Sequence, residues 1–204
     1  MCGPAGWSAI RPSHAAVNSS MSLSGARRTA IPAARATRTI ARELATHDLP
    51  DDLAPADVLA WRDAWAALAV RRDRWIELRV IALDTAAALD RSTPDPDSGT
   101  GTGVPLEVAL ADRDPAFRRA AILDVPLPVP PGARTALATA IAKDTDPAVA
   151  LAAASILCFD ASAATAQPIR EALGAAGLER ISALVTGTRL TPAIRDAKRC
   201  LAVK

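Results

Sequence analysis

The sequence predicts an all-α fold, a short α-solenoid of stacked antiparallel helix pairs preceded by a disordered N-terminal tail. Three observations carry that prediction. About 48 of the 204 residues are alanine, a strong helix former, whereas tyrosine is absent and only two Phe and four Trp occur. That composition argues against the aromatic and β-branched strands of sandwiches and barrels. Apolar residues recur at helical spacing along most of the chain, and a capped Pro-Ala motif returns three times in its second half. Half the residues are hydrophobic and 23% charged, which supports a sizeable core and excludes wholesale disorder. No window approaches the ~18 uninterrupted apolar residues of a transmembrane helix.

Residues 1–30 are rich in Ser, Gly and Pro and read as a disordered basic tail. The first 42 residues hold Arg11, Arg27, Arg28, Arg35, Arg38 and Arg42 and no acid, so they carry +6 of a net +2, and the rest of the chain carries −4. Such a segment suits an organelle-type targeting sequence, a basic arm for anionic polymers, or a plain disordered extension. Its one aromatic residue, Trp7, gives little basis for base stacking. Residues 31–90 read as N-terminal helices, one or more degenerate pairs. Helical patterning runs from near Ile31 to about His47, and Asp48 to Pro55 is a turn. Pro55 suits the first position of a helix whose stripe is Val58, Trp61, Trp65 and Leu68. A further helix follows from Trp75 to about Asp90, and Trp61, Trp65 and Trp75 are read as core. Residues 91–103, with Pro94, Pro96, Gly99, Gly101 and Gly103, form a flexible loop.

Residues 104–204 hold the repeat. Asp114-Pro115-Ala116-Phe117-Arg118, Asp146-Pro147-Ala148-Val149-Ala150 and Thr191-Pro192-Ala193-Ile194-Arg195 align, each a capping residue followed by proline at the first helical position. Asp112 and Asp144 stand two residues before two of the caps, where negative charge favours the helix dipole. Helical runs Val104–Ala111, Pro131–Lys143 and Leu178–Val185 precede the three capped helices. One such pair cannot bury its apolar face alone, and stacking does so. Burial of Phe117, Val149, Ile194, Ile156 and Leu201 is expected to drive it, at roughly 1.5–3 kcal/mol per large side chain.

The pattern Leu110-x-Asp112-x-Asp114-Pro115-Ala116-Phe117-Arg118, echoed by Ala142-x-Asp144-x-Asp146-Pro147-Ala148-Val149, resembles the short bacterial type of HEAT repeat. The resemblance is clearest over about 104–160 and weaker over 177–204. It implies a ladder between repeats in which Asp114 and Asp146 supply acids and Arg118 and Arg195 supply arginines. Ala150 replaces the arginine of the middle unit and Thr191 the acid of the third, so the implied ladder is short. Asp73-Arg74-Trp75-Ile76 marks a degenerate earlier unit without the proline. The resemblance implies a non-catalytic scaffold for protein–protein interaction. Its alternative is a HEAT-like enzyme or enzyme subunit, as in tetrapyrrole-chromophore lyases and alkylpurine DNA glycosylases.

Little in the sequence points to chemistry. No catalytic, cofactor-binding or metal-binding set is expected: His14 and His47 lack partners at metal spacing, and Gly99–Gly103 has neither the strand nor the lysine of a phosphate loop. The acidic folded part disfavours nucleic acid, and the expected partner is a protein. Arg134, Lys143, Glu179 and Arg180, on the helices preceding the capped ones, are candidates for its surface. Cys158 lies 11 residues after Pro147 and Cys200 lies 8 after Pro192, an offset of about one helical turn between neighbouring helices. The two thiols meet if both face the interface, and are otherwise two separate buried cysteines. A bridge points to an exported protein; without one a cytoplasmic location is expected.

Overall fold

The computed structural model describes residues 54–92, 103–159, 161–162, 164–186 and 189–202. The expected tail 1–30, the helix Ile31–His47 and most of the loop after Arg91 lie outside them. Eight helices and no strand occur among the described residues: α1 (Pro55–Ala69), α2 (Ile76–Ser92), α3 (Leu106–Leu110), α4 (Pro115–Leu123), α5 (Pro131–Lys143), α6 (Pro147–Phe159), α7 (Ala166–Val185) and α8 (Pro192–Ala202). None is long and apolar enough to cross a membrane.

Local chemistry sets the helix starts. The Asp114 carboxylate accepts the Ala116 N–H at 2.9 Å, and Asp146 accepts those of Ala148 and Val149 at 2.8 and 3.2 Å. Each cap satisfies an orphan donor and contributes about 1 kcal/mol. The Thr191 hydroxyl accepts the Ile194 N–H at 3.3 Å. The run expected from Val104 shortens to the single turn of α3, because Pro105 holds extended backbone at ψ 127°. The run expected from Leu178 begins earlier, and α7 is interrupted at Gly174, whose φ of 58° glycine tolerates.

Consecutive helices pack as pairs, α1 on α2, α3 on α4, α5 on α6 and α7 on α8. The second members touch in chain order, α2 to α4 to α6 to α8, as do α3, α5 and α7 among the first members. One apolar core runs from Ala69 and Leu83 through Phe117, Leu137 and Leu157 to Ile181 and Ile194. Phe117, Val149 and Ile194 are all buried on helices that touch in turn. Ala121, Ala153 and Ala197, each 0–1% exposed, allow those helices to approach closely.

Three expectations need correction. Trp61 and Trp75 are 40% and 43% exposed and are not core, whereas Trp65 is half-buried and packs against the core. The inward face of α1 is turned slightly from the expected stripe: Val58 is buried as expected, but Ala69 is buried beyond it and Arg62, in place of Trp61, reaches inward to the buried Asp90 of α2 at 3.1 Å. An ion pair between helices, invisible to hydrophobic periodicity, fixes that rotation. Leu201 is exposed, because α8 turns Ile194, Ala197 and Cys200 inward instead, while Ile156 of α6 is half-buried against the core.

Candidate functional site

The turns between paired helices bring three of the repeat residues, Asp112, Arg118 and Asp144, into two rungs. Arg79, the fourth residue of α2, donates through its two Nη atoms to Asp112 at 2.6 and 3.4 Å, and through Nε to the Ala69 carbonyl at 2.9 Å. Its guanidinium also lies 4.3 Å from the centre of the Phe117 ring. Arg118, the fourth residue of α4, grips Asp144 with Nε and Nη2, both at 2.7 Å. Its Nη1 donates to the carbonyls of Asp112 and Arg113 at 2.9 and 3.2 Å. Each rung therefore ties the second helix of one pair to the turn of the next.

The acids of these rungs are Asp112 and Asp144, and this corrects the assignment of Asp114 and Asp146 to the ladder. In Asp-x-Asp-Pro the second carboxylate caps its own helix, and the first crosses to the preceding pair. Asp112 and Asp144 also accept the N–H two residues on, from Asp114 and Asp146, both at 2.9 Å. Burial pushes the Asp112 carboxyl up, but the Arg79 hydrogen bond, the Asp114 N–H and the charges of Arg79 and Arg72 outweigh it and hold the group below the usual range. The Arg118 hydrogen bonds hold Asp144 low against its own burial, and Asp144 raises Arg118 in return.

Arg79 escaped the sequence reading because its helix lacks the proline signature. The spacing was present nonetheless: Asp73 precedes Arg79 by six residues, as Asp112 precedes Arg118. The third junction has no rung. Ala150, fully buried, stands where α6 would carry the arginine, and Arg189 stands where the acid would be. Arg195 is exposed and takes no part in either rung. This junction is closed by a disulfide between Cys158 of α6 and Cys200 of α8, with Cα atoms 5.3 Å apart.

A groove of about 550 Å³ opens between α3 and α5 above the Arg118–Asp144 rung. Glu107 and Leu110 form one wall and Thr135, Thr139 and Lys143 the other. Of the four candidate surface residues, only Lys143 lines it; it is exposed, as is Glu179, while Arg134 and Arg180 are half-buried elsewhere. Among the described residues no group of three or more His, Cys, Asp or Glu is arranged to hold a metal ion.

A second acidic feature was not anticipated. Asp124, the C-cap of α4, lies near the Asp84 carboxyl of α2. Burial, followed by the Asp84 charge, pushes Asp124 up to about 7, with Arg91 opposing. A like charge beside a buried carboxyl favours its protonated form, and α2 and α4 are the helices that carry the two acids. Compared with family models, curated proteins and solved structures, the chain matches none.

Proposed function

We propose that the chain is a short HEAT-like α-solenoid acting as a non-catalytic scaffold, with the groove between α3 and α5 as the seat of a protein partner. The order of helix contacts supports the stacked-pair part of this reading, since each pair touches the next through matching helices. The observation that carries the functional part is the groove. Its rim offers a carboxylate, two hydroxyls and an ammonium group from Glu107, Thr135, Thr139 and Lys143. The Asp112 and Asp144 carboxylates beneath are ionised and already engaged by arginine, so they suit structure rather than proton transfer. An open, mixed-charge surface of this kind fits a polypeptide better than a small substrate.

A photo-crosslinking residue at Thr139, introduced in the cells of origin, tests the proposal. A discrete protein adduct is expected, weakened by Lys143→Glu and absent when the crosslinker sits at exposed Arg195. Equal labelling at both positions would overturn the reading. The Cys158–Cys200 bridge favours the exported alternative over the cytoplasmic default, because such bonds persist in oxidising compartments. Thiol titration of the protein denatured without reductant should then find one free cysteine of three; three would refute that location.

A further inference from the structure

The three junctions between successive pairs are not equivalent, and the last is the one without a rung. Although α8 runs close along α6, its apolar hold rests mostly on small side chains. Of the side chains α8 turns inward, only Ile194 is a large aliphatic; Ala197 is small, Asp196 is polar, and Cys200 is spent on the bridge. By comparison α4 buries Phe117 and Ile122 together with the stem of Arg118, and α6 buries Val149, Leu157 and four alanines. The outer side of α8 is exposed at Arg195, Lys198, Arg199 and Leu201. Its remaining polar ties lie at the surface: Arg199 donates to the Phe159 carbonyl at 3.1 Å and sits 5.1 Å from that ring's centre. The Arg199–Asp196 contact, at 3.5 Å, is internal to the helix.

One isoleucine and one alanine give little apolar burial against the entropy of fixing an 11-residue helix. The bond across a sequence separation of 42 supplies the difference by keeping α8 beside α6. Both sulfurs belong to buried residues, Cys158 at 0% and Cys200 at 2% exposure. A thiol reaches them only when α8 lifts away, so bond and docking protect each other.

We infer that α8 is an oxidation-dependent cap, docked on α6 and α7 while Cys158 and Cys200 are bridged and released when a dithiol reduces them. In the reduction one thiolate of the dithiol attacks a bridge sulfur and expels the other cysteine as a thiolate, leaving a mixed disulfide. The second thiol of the reductant closes on its partner and frees the remaining cysteine. Two cysteine thiols and one reductant disulfide result. The junctions at Arg79–Asp112 and Arg118–Asp144 contain no sulfur and stay closed. This goes beyond the scaffold reading and does not depend on the groove having a partner.

Amide hydrogen exchange of the full chain, oxidised and after a dithiol reductant, tests the inference. In the oxidised protein α8 is expected to exchange within about tenfold of α6. After reduction α8 should exchange roughly a hundredfold faster than α4, whose amides keep native protection. Cys158→Ser/Cys200→Ser should reproduce the reduced pattern with no reductant present. Reduction that leaves α8 as protected as α4 would show the helix holding by packing alone. A chain that loses protection everywhere at once, reduced or doubly substituted, would show a bond serving the whole fold. Either result overturns the cap.

Discussion

The α2–α4 and α4–α6 junctions are joined by buried arginine–aspartate rungs, whereas α6–α8 is joined by a disulfide over a helix with little apolar anchorage. The same helix-pair layout thus accepts two kinds of fastener. A rung depends on both charges remaining paired in a nearly dry site, and on pH. The disulfide depends on redox conditions and on chain connectivity. Where Ala150 and Arg189 remove both halves of the rung, the Cys158–Cys200 bond takes over the junction.

The largest effects should come from breaking a rung on one side. Arg79→Ala leaves the buried Asp112 with only the Asp114 N–H and the longer Arg72 contact at 3.5 Å, and should cost about 3 kcal/mol in urea unfolding of the oxidised protein. Arg118→Ala should cost a similar amount through Asp144, and a loss below about 1 kcal/mol for both would remove the contrast between junctions. A smaller effect is expected from adding the missing rung. Ala150→Arg puts a charge at a fully buried site, with Arg189 in the register of the missing acid, and should destabilise by roughly 2–4 kcal/mol. Adding Arg189→Asp should recover about 1–2 kcal/mol of that loss, measured as a double-mutant coupling.

The next effect lies outside the junctions. Gly103 has φ 65°, and a Cβ there would come within 2.6 Å of the Ala86 carbonyl carbon. Gly103→Ala should therefore cost about 1–3 kcal/mol in thermal unfolding. The smallest effect separates the carboxylates by pH. Asp112 and Asp144 are held low, so their stabilisation is present above the unfolded value near 3.8 and is lost as pH falls through their folded values. Asp124 behaves oppositely. Its folded value of about 7 exceeds 3.8, so its contribution is full below 3.8 and is lost as pH rises through 7. Asp124→Asn should raise stability at pH 8 by on the order of 1–2 kcal/mol relative to its effect at pH 4. Denaturant midpoints at the two pH values would check the sign.

The parts of this fold that were legible in the sequence are those set by neighbours along the chain. Asp114, Asp146, Pro115 and Pro147 announce helix starts because cap and proline act within one turn. The pairing of Cys158 with Cys200 was visible as a possibility, since a register of one turn can be counted from the two prolines. Selection between adjacent acids was not legible. Asp112 and Asp114 are equally acidic, and only the approach of Arg79 from 33 residues upstream sends the first across the junction. The face of α1 was misread for the same reason, because Arg62 is drawn inward by Asp90, 28 residues away. The groove between α3 and α5 arises from helix spacing and leaves no local signature.

Asp90 does more than turn α1. Its second carboxylate oxygen accepts the Gly103 N–H at 3.2 Å, while Gly103 itself lies against Ala86. The chain that leaves α2 is therefore pinned again 13 residues later beside the helix it left. Its two ends are fixed independently of whatever runs between them. One carboxylate thus ties together the end of α2, the helix before it and the approach to α3, so a change at Asp90 would loosen three segments at once.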